Sequence, residues 1–262
     1  MLVQFYKENL LMIVNENNVN QLDFKDWIMS CSAREDNLKK WIRFKSGDYP
    51  DPDEVLKQDV PKCIAVKLNW YCEKEKVDNY YIDCIFSFAT FFKAFLRYYA
   101  GDYMPYMGQI YENYEMLFDN KYKDEFCTKQ GIERTCLDEL LEQLNIFAKN
   151  THTLGNYMKC PNGKYNAVKG NYRKYKDRLE LLYLDIQDSS KEESHWSNWF
   201  DENKETLEIE KILENAELLK FVFNGYKMRK KHIKPYTEYI KTINAIIEAR
   251  GKVLAEKLMK KP

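Results

Sequence analysis

No glycine-rich phosphate loop, dinucleotide fingerprint, Gly-x-Ser-x-Gly elbow or Cys-x-x-Cys pair occurs anywhere in these 262 residues. Reactions that announce themselves through such local motifs are therefore not written here in their usual form. Histidine is scarce, with three in all. Long apolar runs are missing too. Leu10 to Val14 is too short for the core of a secretion signal and follows Lys7-Glu8 instead of a basic start. The greasiest stretch, Ile82 to Ala100, is broken by Asp83, Lys93 and Arg97 and so reads as a buried helix, not a membrane span. The seven cysteines are odd in number and irregularly spaced. They read as reduced thiols, which points to the cytoplasm. Neither a resident metal nor a cofactor is implied.

What is present is apolar and aromatic side chain in quantity, 45% and 15% of the residues, enough to fill a large core and to exclude a disordered chain. Charge balances at 41 basic against 41 acidic residues, yet it is segregated. Lys159 to Arg178 carries seven cations against Asp177 alone, and Lys227 to Pro262 carries eleven against three anions. Leu179 to Tyr226 between them has twelve acids and four bases. Such patterning offers a basic face to an anionic partner, or a face that the acidic neighbour neutralises within the fold.

Apolar periodicity predicts a mainly α protein, a helical domain with a small β-hairpin element. One domain over residues 1–262 fits, or two packed halves at 1–150 and 151–262. Ile64, Val66, Leu68 and Trp70 alternate with Ala65, Lys67 and Asn69, which suggests a strand from Cys63 to Tyr71. Helices are expected over Tyr80 to Tyr99, Met107 to Asp124, Glu133 to Lys149 and Tyr175 to Ile186, and at Trp196 to Phe200. Two more follow, over Glu205 to Phe223 and Pro235 to Met259. The last should bury Tyr239, Ile240, Ile243, Ile246, Ile247, Leu254 and Leu258 and show a basic face of Lys241, Arg250, Lys252 and Lys257.

The segment most able to carry a site is Thr151-His152-Thr153-Leu154-Gly155-Asn156, continuing through Pro161-Asn162-Gly163 and Asn166 to Lys169-Gly170. It is an irregular, polar connection between helical regions, the kind of place where binding groups collect. Tyr157 to Cys160 and Lys164 to Asn166 flank Asn162-Gly163 as a hairpin would. His152 has the side chain best matched to proton transfer near neutral pH. It can equally bond neighbouring backbone, while Asn156 bridges a turn and Gly155 fills a left-handed position. Basic residues interleaved with aromatics, from Tyr165 through Lys176, suit phosphates and stacked bases.

This box, with the later proline, asparagine and Lys-Gly pair and a terminal helix like Ile243 to Leu258, resembles a family of bacterial proteins built around Thr-His-Thr-(Ile/Leu)-Gly-Asn. That resemblance names no reaction. A second, partial likeness is to the tail of the His-Me finger (HNH-type) restriction nucleases, carried by Gly155, Asn156, Asn166, Lys169-Gly170-Asn171 and Lys174 to Lys176. Those enzymes place a histidine base well upstream of the Gly-Asn pair, whereas no histidine here precedes His152.

Together these features point to a protein that binds an anionic partner, nucleic acid first, and no membrane. His152, Asn156 and Asn166 would turn outward to shape the pocket, and Lys164, Lys169, Arg173, Lys174 and Lys176 would supply charge. The alternatives are a divergent metal-dependent nuclease or other hydrolase with His152 as base, and a protein-interaction module of a phage-defence or toxin system.

Overall fold

The computed structural model describes residues 64–70, 81–88, 91–92, 95, 116–160, 195–213 and 233–259. The protein is mainly α. Its described elements are β1 (Tyr81–Cys84), α1 (Asn120–Gln130), α2 (Arg134–Asn150), β2 (Tyr157–Cys160), α3 (His195–Leu207), α4 (Glu210–Leu213) and α5 (Lys234–Met259). None of the described helices is long and apolar enough to cross a membrane.

Helix α2 follows its apolar spacing. Leu137, Leu140, Leu141, Leu144 and Phe147 recur every three or four residues, and all are buried. Helix α5 does the same through Tyr239, Ile240, Ile243, Ile247, Leu254 and Leu258, with Ile246 partly buried beside them. The two helices pack on each other, and Asn244 of α5 crosses the seam to donate to the Gln143 carbonyl at 3.0 Å. Phe88, Phe91, Phe92 and Phe95 fill the same core at helical spacing. Their rings reach α2 and α5: Phe88 lies 5.7 Å from Phe147, Phe91 stacks on Tyr239 at 5.7 Å, and Phe95 meets Tyr236 edge-on.

Where the apolar pattern is short, the structure departs from it. Residues 64–67 form a helical turn, not a strand. Ile64, Ala65 and Leu68 are buried while Val66 is 45% exposed, the opposite of a two-residue alternation. Asn69 ends the turn with a left-handed φ of 58°, and the Trp70 amide reaches back to the Ala65 carbonyl at 2.7 Å. The same closure recurs after α1, where Gly131 takes φ 65° and the Ile132 amide donates to Cys127 at 3.0 Å. Seven residues with few alternatives fit either period, and the asparagine able to adopt a positive φ decides it.

The expected helix over Tyr80 to Tyr99 begins instead with a strand. β1 runs antiparallel to β2, with Tyr81 opposite Cys160 and Cys84 opposite Tyr157. Thus Tyr157–Cys160 is extended as the hairpin reading required, and among the described residues it pairs with a strand from far earlier in the chain. The proposed second strand, Lys164 to Asn166, lies outside the described residues. The helix expected from Met107 to Asp124 is interrupted at residues 117–119, where Asp119 caps α1 by accepting from the Tyr122 amide at 3.0 Å. Near the acidic segment, α3 continues past Glu205 to Leu207. The break falls at Glu208, whose φ is 53°. The helix expected over Tyr175 to Ile186 and the part of the next beyond Leu213 lie outside the described residues.

Candidate functional site

The Thr151–Asn156 box fills the gap between the end of α2 and β2. Its threonines first close off the helix: the Thr151 hydroxyl donates to the Phe147 carbonyl and the Thr153 hydroxyl to Asn150, each at 2.8 Å. These carbonyls belong to the last turn of α2, and the Asn150 carbonyl accepts from the Thr153 amide as well, at 3.2 Å. Leu154–Asn156 then forms one 3-10 turn, with the Asn156 amide bonded to the Thr153 carbonyl at 3.0 Å.

Gly155 is where this turn meets α5. A methyl group built on it would overlap the Ile247 carbonyl oxygen and lie 2.9 Å from the Gly251 amide nitrogen. Both obstacles are backbone, so neither can rotate away. Among the described glycines only Gly131 has a positive φ. The expectation that Gly155 serves a left-handed position is therefore corrected: glycine is required there for close approach.

Asn156 is completely enclosed. Its Oδ1 accepts from the Phe86 amide at 3.0 Å, and its Nδ2 donates to the Phe86 and Thr151 carbonyls at 2.9 and 2.7 Å. The Asn156 carbonyl accepts from the Ile85 amide at 2.7 Å. One side chain thus reproduces a pair of backbone bonds and stitches the stretch after β1 to the end of α2. Cys84 adds a thiol donor to the Thr151 carbonyl at 3.1 Å.

The second fastening is Arg250, a residue the sequence placed on the exposed basic face of α5. That placement is corrected, because Arg250 is 4% exposed. Its Nη1 donates to the carbonyls of Gly155 and Tyr157 at 2.7 and 2.6 Å and lies 3.4 Å from that of Leu154. Nε and Nη2 both reach the Leu207 carbonyl, at 2.8 and 2.6 Å, where α3 ends. The face of Trp70 sits 5.7 Å from the guanidinium carbon. Planar guanidinium suits this role, since its donors leave in fixed directions and stack well on an aromatic ring. The signal for it was present: Arg250 falls in register with Ile243, Ile247 and Leu254, inside the apolar stripe.

His152 is 7% exposed, with its ring 6.1 Å from that of Tyr157. His152 and Asn156 are thus brought to one place, but inside the fold, and the outward-turned arrangement expected of them does not hold for this pair. For Asn156 the cause is that the Phe86 amide and the Phe86 and Thr151 carbonyls demand partners, and its side chain supplies them. Asn166, Lys164, Lys169, Arg173, Lys174 and Lys176 lie outside the described residues. The start of the basic stretch is described: Lys159 on β2 extends its ammonium to Asn203 of α3 at 3.0 Å. Among the described residues no group of three His, Cys, Asp or Glu side chains gathers closely enough to hold a metal ion. No family model, curated protein or solved structure matches this chain, so the site stands on its own geometry.

Proposed function

We propose that the protein binds an anionic partner, nucleic acid first, through the basic stretch that leaves β2. Lys164, Lys169, Arg173, Lys174 and Lys176 supply the charge, Asn166 offers a polar contact, and the interleaved tyrosines present flat rings for stacking. In this reading His152 and Asn156 do not touch the partner. They hold the base of the stretch from within. The observation that supports the reading is the anchoring of its first residues: Tyr157 is held by Arg250 and Lys159 by Asn203, so the cations that follow start from a fixed point. A charged segment held at its root loses less conformational freedom on binding than a loose one. The irregular thiols fit a reducing compartment, and the reading places the protein in the cytoplasm.

Titration of a labelled single-stranded oligonucleotide by fluorescence anisotropy tests this. Binding should weaken with added salt, with a log–log slope of about 3 to 4 if all five cations engage phosphates. Replacing Lys169, Lys174 and Lys176 together by alanine should remove most of that slope. No binding at low salt would end the reading. Metal-dependent cleavage of the oligonucleotide that disappears in His152→Ala would replace it with a hydrolase.

A further inference from the structure

We draw no further inference here: the strongest candidate, the exposed carboxylate row of Asp201, Glu202 and Glu205 on α3 beside the Lys159–Asn203 contact, is an acidic cluster with no second observation to say what it holds.

Discussion

Individual positions in the box can be ranked by what each would leave behind. In Gly155→Ala a methyl group is driven into the α5 backbone, with no flexible side chain to give way. Overpacking of this kind costs about 3 kcal/mol, which for a chain of this size lowers Tm by about 6 to 12 °C. An unchanged Tm by calorimetry would show that α5 can shift freely. Asn156→Ala leaves the Phe86 amide and the Phe86 and Thr151 carbonyls short of a partner in a closed interior. A loss of about 2 to 4 kcal/mol in urea unfolding is expected, and Asn156→Asp should not restore it, because a carboxylate brings no donor for the two carbonyls. The place of the box was readable from its residue types. So was the reading in which Asn156 serves backbone groups, which the hydrogen bonds to Phe86 and Thr151 bear out; which distant groups it serves was not, since backbone partners leave no mark in a sequence.

Among whole elements, long periodic helices were the readable ones. α2 and α5 end within a residue or so of their expected bounds because five or more apolar positions vote for one period. β1 and residues 64–67 offer too few positions, so distant partners and a single left-handed residue settle them. Surface charge fixes the α1–α2 corner in a way that pH can probe. The Lys123 ammonium donates to the Asp138 carboxylate at 2.6 Å, and Arg134 approaches the same group at 3.2 Å. The hydrogen bond from Lys123 is the main reason the Asp138 carboxyl is held below the usual carboxylate range; partial burial opposes it and the cations add to it. A carboxyl lowered in the folded state stabilises the fold above its unfolded pKa, and that contribution fades as pH falls through the lowered value. NMR titration of Asp138 in Lys123→Met should therefore move upward, and the acid arm of the stability profile should flatten. A titration that stays put would assign the shift to Arg134 instead.

For the whole molecule, Arg250 matters because of the sequence distances it spans. Its guanidinium reaches the carbonyls of Leu207 and of Leu154, Gly155 and Tyr157 while standing over Trp70, so three separated regions share one group. The core is equally non-local, drawing buried residues from Ile85 through Ile247. In Arg250→Met the carbonyls lose their common donor, and a loss of about 3 kcal/mol or more is expected. The more telling measurement is hydrogen exchange: amides of β1, β2 and residues 207–209 should lose protection together. Faster exchange confined to α5 would show that Arg250 fastens only its own helix. Arg250→Lys should not rescue, because one ammonium cannot address both sets of carbonyls in a plane.

The seat that Gly155 takes against Ile247 and Gly251 has a temporal side. The box leaves the ribosome roughly ninety residues before the Ile247 and Gly251 backbone it must lean on, and at about 5–20 residues per second that interval lasts several seconds. During it, the polar turn after α2 has no Arg250 to gather its carbonyls. A nascent chain arrested just short of α5 should consequently be cut by protease near Leu154, and protection should arrive abruptly once that last helix emerges.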